Sequence, residues 1–476
     1  MMQPTTRRAF LQSTAMGLGA LACGRTVGRA DTPARRPNVI FLLTDDQRWD
    51  TLGCAGNSIV RTPHIDAMAA DGVRFTNAFV TTSICATSRA SIFSGQYARR
   101  HGIHDFATGL SDAAWADSYP ARLKAAGYRL GLVGKYGVGA DRDFHKDTFD
   151  FWRGIAGQPV YEQKDEHGNY RHLTAIMGDQ SVEFLRGGSV DRPFCLSVSF
   201  KAPHVQDADP RQFIYDPIHK DLYKDVAIPV PETASPEHLA SLPEFLRDDA
   251  TTARVRWRMR FDTPAKYQEM VKGYYRLITG VDTVVGRIRA ELDRLGLAEN
   301  TIIVFTSDNG FFLGEHGFAG KWYGHGESIR VPLVVYDPRL PAACRGRAPA
   351  QIALNIDIAP TILSLAGVAV PPAMQGADLS PLMRGRPGLA RSDFFYEHLF
   401  VHRPGGRGPN LIPQSEGVVS LRYKYLRYID QEPVYEQLFD LRADPHETRN
   451  LAGEPARQGL LNAMQARWEQ LRAECA

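Results

Sequence analysis

The stretch NVIFLLTDD, from Asn38 to Asp46, is a run of mostly apolar residues that ends in a pair of aspartates. Apolar runs without polar alternation are typical of strands that are buried on both faces of a parallel sheet. We therefore expect a strand at residues 38–43 and further strands at the similar runs YRLGLV (128–133), FCLSVSF (194–200), TIIVFT (301–306) and VPLVVY (331–336).

Helix-like segments separate these runs. TPHIDAMAADG (62–72) and DSYPARLKAAG (117–127) both close in glycine, a residue that ends many helices. The clearest helix follows Thr263 and Pro264 and carries apolar residues at helical spacing up to Gly296. Alternating strands and helices predict an α/β fold, with a large mixed, mainly parallel sheet sandwiched by helices. We assign this domain to residues 36–384.

The pattern changes after residue 385. DFFYEH (393–398), GVVSLRYKYLRYI (417–429) and YEQLFDL (435–441) are typical of short antiparallel strands, and a helix is expected over residues 454–472. Residues 385–476 are therefore expected to form a small C-terminal antiparallel α+β subdomain. Residues 205–261 are rich in Pro, Asp and Arg and only weakly periodic, which favours an insertion near the mouth of a site.

The N-terminus has the pattern of a twin-arginine export signal. Arg7 and Arg8 precede a weakly apolar run at residues 15–22 and a segment of small residues, with cleavage expected after Ala30. The run is too short to span a bilayer, and no other stretch is suited to a stable membrane span. This predicts the twin-arginine translocase as a partner and a periplasmic or secreted protein. A lipoprotein anchor at Cys23 is the less favoured alternative.

The overall composition excludes several classes of protein. With 43% hydrophobic and 23% charged residues, the chain is an ordinary globular protein. Its formal charge is +3, but residues 1–30 carry four arginines and no acids, so the remainder has a charge of −1. This charge argues against a general electrostatic interaction with nucleic acid. The cysteines show neither zinc spacing nor a CxxC pair. They are Cys23, Cys54, Cys85, Cys195, Cys344 and Cys475.

Charged and amide side chains directly follow four of the predicted strands. Because ligands bind beyond the carboxyl ends of strands in open α/β sheets, we expect these loops to converge on one site. Aspartate and asparagine oxygens suit Ca²⁺ or Mg²⁺, and nearby cations would make a pocket for a tetrahedral anion. The residues are Asp45 and Asp46, Lys135, Lys201 and His204, and Asp308 and Asn309.

Cys85 lies four residues before Arg89 in SICATSRASIFSGQ (83–96). If residues 85–97 form a helix, Cys85 lies in its first turn and shares a face with Arg89. The N-terminus of a helix also favours anions. The pattern leaves two interpretations open: a buried thiol with a surface arginine, or two members of the anion pocket.

Several longer motifs carry a resemblance that runs from Pro37 to about Gly453. In order, they are RPNVIFLLTDDQRWDTLGCAGN, TSICATSRASIFSGQYARRHG, GKYGVG, KAPH, FTSDNGFFLGEHGFAGKW, ESIRVPL and LFDLRADPHETRNLAG. The chain resembles the type I sulfatases of the alkaline-phosphatase-like superfamily. GFFLGEHGFAGKWYGHGES is similar to the N-acetylglucosamine-6-sulfatase branch, which implies a sulfated carbohydrate substrate.

The resemblance implies that a formylglycine-generating enzyme oxidises Cys85 to formylglycine. Its hydrate would attack sulfur and then expel sulfate by regenerating the aldehyde. The implied ligands of Ca²⁺, with Mg²⁺ less favoured, are Asp45, Asp46, Asp308, Asn309 and modified Cys85. The residues implied to contact the sulfate, stabilise the modified residue or protonate the leaving alcohol are Arg89, Lys135, His204 and Lys321.

Two residues depart from the family pattern. Thr87 stands where Pro or Ala is usual, and Gly137 stands where many relatives carry a histidine beside the formylglycine. Either His101 or His104 replaces that contact, or it is dispensable here. Candidates for the substrate pocket are His101, His104, Trp322, Tyr323, His325 and His398. Two alternatives stay open: a phosphate or phosphonate monoester hydrolase on the same fold, and a catalytically silent glycan-binding protein.

Overall fold

A seven-stranded sheet forms the centre of the fold, with the strand order β2-β12-β9-β1-β8-β4-β5. The computed structural model describes residues 35–140, 144–189, 191–389, 391–400 and 412–476. The expected export signal, its cleavage point and Cys23 lie outside these residues. The strands are β1 (Asn38–Asp45), β2 (Val73–Arg74), β3 (Asn77–Phe79), β4 (Arg129–Lys135), β5 (Phe151–Ile155), β6 (Glu162–Lys164), β7 (Tyr170–His172), β8 (Phe194–Pro203), β9 (Thr301–Ser307), β10 (Phe312–Leu313), β11 (Ala319–Gly320), β12 (Leu333–Tyr336), β13 (Ile352–Leu354), β14 (Asp393–His398), β15 (Ser415–Ser420), β16 (Tyr423–Tyr428) and β17 (Tyr435–Asp440).

The helices cover the two faces of this sheet and the segments that follow it. They are α1 (Pro63–Asp71), α2 (Cys85–Ser94), α3 (Ala98–His101), α4 (Asp112–Ala116), α5 (Tyr119–Ala125), α6 (Leu173–Arg186), α7 (Pro236–Ser241), α8 (Glu244–Arg247), α9 (Thr252–Arg260), α10 (Pro264–Arg294), α11 (Gly326–Ile329), α12 (Ile358–Leu365), α13 (Ser380–Met383) and α14 (Gln458–Glu474). The expected helix after Thr263 is α10, and the Thr263 side chain caps it by accepting from the N–H of Lys266. No helix in the described ranges is long and apolar enough to cross a membrane.

The position of strand β1 shows why helices pack on both faces of the central sheet. It pairs in parallel with β8 on one side and with β9 on the other, so Val39 lies opposite both Cys195 and Ile302. Side chains alternate along a strand, and here both sets are buried: Phe41 packs into the core with α2, α5 and α12, and Leu42 into the core with α1, α6 and α10. Because both faces of the strand are buried, its sequence is an apolar run without polar alternation. The predicted α/β fold class is confirmed.

Two details of the sheet differ from the sequence-based expectation. The run at residues 331–336 forms β12, but this strand is antiparallel to β9. Burial on both faces produces an apolar run whichever way a strand points, so the run carried no information on direction. Strand β5, at the edge of the sheet, was not expected, because its residues are only half-buried or exposed and form no apolar run.

The C-terminal region has the expected antiparallel sheet, with the order β14-β15-β16-β17. Helix α14 packs against it, and the Trp468 indole N–H donates to Glu416 at 3.1 Å. Residues 36–476 form one compact unit. The boundary expected at residue 384/385 lies inside this unit, between α13 and β14.

Candidate active site

The carboxyl ends of the parallel strands meet at one buried group of side chains. Asp45 ends β1 and Lys135 ends β4, and the Lys135 Nζ lies 2.5 Å from the Asp45 Oδ2. Asp308 follows β9, and its Oδ1 accepts the Asp46 backbone N–H at 3.2 Å. The structure thus brings together Asp45, Lys135 and Asp308, three of the residues that the strand ends pointed to.

Asp46 is held in a conformation that non-glycine residues rarely adopt, with φ at 69°. The buried Tyr274 on α10 supports it: the Tyr274 hydroxyl donates to the Asp46 carbonyl oxygen at 2.7 Å and accepts the Arg48 N–H at 3.2 Å. Tyr274 was not identified from the sequence, where it counted only as one apolar position of the helix. Its spacing gave no signal of this second role.

We expect Tyr274→Phe to lower the free energy of unfolding by about 1 to 2 kcal/mol, because a buried carbonyl and a buried N–H lose their partner. The same change should weaken binding of a divalent cation about tenfold, since Asp46 loses its support. Tyr267→Phe is the matched control, because its hydroxyl also binds a backbone carbonyl, that of Pro229, on the same helix. Equal cation affinity in the two variants would contradict this role of Tyr274.

Cys85 is the first residue of α2, and Arg89 lies one turn later, 1% exposed. The Arg89 Nε donates to the Asp308 Oδ2 at 2.8 Å, and its Nη1 donates to the Lys135 carbonyl oxygen at 2.9 Å. Burial lowers the pKa of Arg89, but Asp308, Asp45 and the nearby Cys85 together raise it above its usual value. Of the two interpretations left open, the geometry favours the one with Cys85 and Arg89 in the pocket.

Gly137 makes room for Arg89. Its φ is 75°, and a Cβ at this position would lie 2.7 Å from the Arg89 Cδ and 3.3 Å from the Lys135 Cε. A histidine at residue 137 is therefore incompatible with the present position of Arg89. The departure from the family pattern has a packing reason in this chain.

His101 is engaged within its own segment. Its Nε2 lies 3.0 Å from the Ser91 Oγ, and its Nδ1 accepts the Ile103 N–H at 3.2 Å. Burial lowers the pKa of His101 to about 3, so the ring is neutral. Thr87 binds the same segment, since its hydroxyl donates to the Ile103 carbonyl oxygen at 3.0 Å. These contacts favour a structural role for His101 over replacement of the missing histidine.

The site holds three carboxylates and three cations, all buried. They are Asp45, Asp46 and Asp308, and Arg89, Lys135 and Lys321. Lys321 follows β11 and its Nζ lies 2.5 Å from the Asp46 Oδ1. These six charges cancel, so a bound divalent cation would give the pocket a net positive charge, which favours an anion.

The pKa values follow from this arrangement. Burial alone raises the pKa of Asp45, but Lys135 and the other cations hold it well below its usual range. Burial and the neighbouring Asp45 raise the pKa of Asp308 to about 6. Burial opposes the charge on Lys321, yet Asp46 and Cys85 raise its pKa above the usual value. Asp45 is thus ionised and Lys321 protonated near neutral pH.

His204 follows β8 and reaches the same carboxylates. Its Nδ1 lies 2.7 Å from the Val205 carbonyl oxygen, so the ring proton belongs there and Nε2 is left as an acceptor. Nε2 lies 3.5 Å from the Asp46 Oδ2 and 3.3 Å from the Gln158 Nε2. Burial lowers the pKa of His204 to about 4.

The donor set fits a hard divalent cation. Oxygen and nitrogen atoms of Asp45, Asp46 and His204 lie within 4.8 Å of one another. The buried Asp45 Oδ1 and Asn309 Oδ1 have no hydrogen-bond partner in the described residues. Unsatisfied buried oxygens are uncommon, and carboxylate and amide oxygens are the ligands that Ca²⁺ takes in proteins.

Lys201 does not join the six charges. Its Nζ donates to the Pro159 carbonyl oxygen at 2.5 Å and lies 4.4 Å from the centre of the Tyr161 ring. Burial lowers its pKa to about 8. It adds positive charge near Asp45, but its ammonium group is already bound to the backbone.

The remaining substrate candidates lie in two buried places. His325 is fully buried among the rings of Phe312, His316 and Tyr323. In the described residues, no hydrogen bond or ion pair joins it to the carboxylates. His398 is also fully buried, at the end of β14. Burial, together with the half-buried His104, lowers its pKa to about 3. A substrate-binding role for these histidines stays a prediction.

Trp322 lies beside the site with a φ of 87°, and its carbonyl oxygen accepts from the Tyr396 hydroxyl at 2.8 Å. The guanidinium of Arg256, which belongs to the 205–261 segment, lies 5.1 Å from the centre of the Trp322 ring. Backbone strain of this kind concentrates at functional sites. The expected insertion therefore contacts the residue next to Lys321.

Comparison with known proteins gives consistent matches over nearly the whole chain. An N-acetylglucosamine-6-O-sulfatase of Bacteroides thetaiotaomicron is 28% identical over 506 residues, covering 92% of this chain and 86% of the relative. An ulvan-active sulfatase of Formosa agariphila is 29% identical, covering 94% and 83%. A solved structure with bound D-glucosamine-2-N,6-O-disulfate, its substrate, has a TM-score of 0.76 at 24% identity, covering 93% and 98%.

A phosphonate monoester hydrolase of Agrobacterium radiobacter has a similar fold, with a TM-score of 0.77 at 22% identity, covering 93% of this chain and 96% of that one. The family models are more specific than the fold. The model of the N-sulphoglucosamine sulphohydrolase C-terminal region matches residues 314–474. The sulfatase model matches residues 37–368, which is well over half of the chain. The chain therefore belongs to the sulfatase family, and it is a sulfuric ester hydrolase.

Proposed function

We propose that this protein is an exported, Ca²⁺-dependent sulfatase that removes sulfate esters, 6-O-sulfate among them, from a carbohydrate. The observation that carries the proposal is the buried, charge-balanced site in which Arg89, one turn after Cys85 on α2, and Lys321 bind the carboxylates. The named activities of relatives, an N-acetylglucosamine-6-O-sulfatase and an ulvan-active sulfatase, support the carbohydrate. The same family has homologues named for choline sulfate, so the sugar has to be tested directly.

The side chains of the site have two roles in the proposed reaction, charge stabilisation and proton donation. Arg89, Lys135 and Lys321 surround the carboxylates with fixed positive charge, and such preorganised charge stabilises oxygens that become more negative as the ester bond breaks. Lys321 and the His204 Nε2 both reach Asp46. Lys321 is protonated and is the group in position to give a proton to the leaving oxygen, whereas the His204 Nε2 carries no proton and can accept a hydrogen bond there.

In this proposal, a Ca²⁺ ion and a formylglycine complete the site. Asp45, Asp46, Asp308 and Asn309, with the modified Cys85, would hold Ca²⁺, which supplies charge neutralisation for the sulfate oxygens. Formylglycine made from Cys85 supplies a hydrated aldehyde as the nucleophile. Peptide mass spectrometry of the Cys85 fragment, from protein made in its native host, tests whether Cys85 is converted to formylglycine. An unmodified cysteine would refute this conversion.

Ca²⁺ should stabilise the protein measurably. At a free concentration of 100 times Kd, the free energy of unfolding should rise by about 2.7 kcal/mol, and chelation should reverse the gain. Mg²⁺ should stabilise less at equal concentration, since it demands a stricter octahedral geometry. The measurement is a thermal unfolding curve with calcium, magnesium and chelator.

Asp308→Ala should abolish this response, whereas Asp293→Asn, an exposed acid on α10, should keep it. Identical unfolding curves of the parent protein with calcium and with chelator would contradict the calcium site. Sulfate release that persists in chelator would contradict its role in the reaction.

A second candidate is hydrolysis of phosphate or phosphonate monoesters, because the fold matches phosphonate monoester hydrolases as well as it matches sulfatases. Both ester classes should be assayed on one preparation. We expect sulfate release from a sulfated sugar to exceed phosphate release from the matching phosphate ester. The reverse ratio would establish the second candidate.

The paired Arg7 and Arg8 and the apolar run at residues 15–22 support export in this proposal, with the twin-arginine translocase as the partner. Replacing both arginines with lysine should retain the protein in the cytoplasm of its native host, which fractionation measures. A periplasmic or secreted variant would contradict this route.

A further inference from the structure

The segment 205–261 brings an exposed carboxylate to the edge of the buried site. Asp207 lies three residues after His204, and its side chain is 44% exposed. Burial raises its pKa, but Arg256, His204, Arg260 and Lys321 together hold it below its usual value. Asp207 is therefore ionised near neutral pH, and its oxygens can accept hydrogen bonds.

Arg256 on α9 joins Asp207 to the wall of the site. Its Nη2 donates to the Asp207 Oδ2 at 3.3 Å, and its guanidinium lies over the ring of Trp322. Trp322 directly follows Lys321, so Arg256 is held one residue away from a cation of the site. Its side chain is 22% exposed. An arginine has five N–H donors, and within the described ranges only its bond to Asp207 uses one.

The buried Arg260 holds Asp207, the partner of Arg256, in place. It is fully buried, and it donates to the Asp207 Oδ1 at 2.8 Å and to the Gln212 Oε1 at 2.8 Å. Asp207 thus accepts one hydrogen bond on each oxygen and keeps lone pairs for further donors. The carboxylate is held in place before any ligand arrives, which reduces the entropy cost of binding.

Gln158, in the loop after β5, approaches from another part of the chain. It is exposed, and its amide lies 3.3 Å from the His204 Nε2. The His204 Nε2 also lies 3.5 Å from the Asp46 Oδ2, so this contact places Gln158 at the edge of the buried carboxylates. We call Gln158, Asp207 and Arg256 the polar rim.

We propose that Asp207 and Arg256 bind two neighbouring hydroxyl groups of the sugar that carries the scissile sulfate. This inference rests on the proposed carbohydrate sulfatase function. A hydroxyl both donates and accepts, so a carboxylate beside a guanidinium with free N–H groups can bind two of them at once. An aryl sulfate has no hydroxyl groups for the pair to bind.

Arg256→Ala tests the inference in the matured full-length enzyme. The substrates are the 3-, 4- and 6-sulfates of N-acetylglucosamine and 4-nitrophenyl sulfate. For the best sugar sulfate we expect kcat/KM to fall about 10- to 100-fold, mainly through KM, because hydrogen bonds to a charged group are lost. For 4-nitrophenyl sulfate the change should stay below about threefold. Arg256→Lys should recover part of the loss.

The matched control is Arg258→Ala on the same helix, because Arg258 pairs with Asp249. Its kcat/KM should stay within about twofold of the parent on both substrates. A parallel loss on the sugar and aryl sulfates in Arg256→Ala would mean that Arg256 only supports the fold of the site. Equal behaviour of the Arg256 and Arg258 variants would also overturn the inference.

A binding measurement separates this inference from the proposed function. If the parent hydrolyses no sulfate ester, the proposed function fails, and calorimetry on the Cys85→Ser protein still reports on the rim. Arg256→Ala in that background should weaken binding of the sugar sulfate about 10- to 100-fold. An unchanged Kd, or no binding to the Cys85→Ser protein, would overturn the assignment of the rim.

Discussion

Cys85→Ser should lower kcat for sulfate release by about 10⁴-fold or more, the size of loss seen when a covalent nucleophile is removed. A serine alcohol can attack sulfur, but it cannot expel the sulfate by regenerating an aldehyde. The loss should appear in kcat and not in KM, because the cations that bind the ester are unchanged. Steady-state kinetics on one sulfate ester measure it.

Cys344→Ser is the control for this prediction, because Cys344 is also a free cysteine and is only half-buried. It should retain full activity. Both variants should unfold at nearly the same temperature, since the change from Sγ to Oγ is small. Equal activity of Cys85→Ser and the parent would show that residue 85 is not the nucleophile.

Gly137→Ala should lower kcat/KM about 100-fold, because a shift of about 1 Å in a positioned catalytic group has an effect of this size. The new Cβ would lie 2.7 Å from the Arg89 Cδ, so Arg89 has to move. Arg89 binds both Asp308 and Asp45, and its displacement disturbs two carboxylates of the site.

Gly137→Ala also carries a backbone penalty of about 1 to 2 kcal/mol, because its φ is 75°. Gly168→Ala isolates that penalty, since Gly168 has a φ of 81° and no atom within 4 Å of its added Cβ. It should lower stability by a similar amount and leave kcat/KM unchanged. Full activity of Gly137→Ala would contradict the packing role of residue 137. Gly137→His should be no more active than Gly137→Ala.

The main elements of the fold could be predicted because they are local patterns of burial. Four apolar runs, at residues 38–43, 128–133, 194–200 and 301–306, are parallel strands of the central sheet. Of the acids and cations that end or follow them, Asp45, Lys135, His204 and Asp308 lie in one buried site, whereas Lys201 does not join them. The strand direction of the fifth run, β12, could not be predicted, since an apolar run is the same in either direction. The edge strand β5 lacked the pattern altogether.

The roles of individual side chains depended on long-range contacts. Tyr274 lies 228 residues from the Asp46 that it supports, and neither position reveals the other. Arg256 could be assigned to a loop near the site, but its position over Trp322 required the folded chain. The ring nitrogens of His101 were candidates for the missing histidine until the contacts with Ser91 and Ile103 were visible.

The sequence by itself determined the chemistry: the kinds of side chain at the strand ends, the cysteine four residues before an arginine, and the glycine at residue 137. These are properties of neighbouring residues, so the order of the chain is enough to define them. Only the tertiary structure decided that Arg89 occupies the space a side chain at residue 137 would need, and that Arg256 joins Asp207 to Trp322, the residue after Lys321. Distances between residues far apart in the chain are set by packing, and packing is a property of the whole fold.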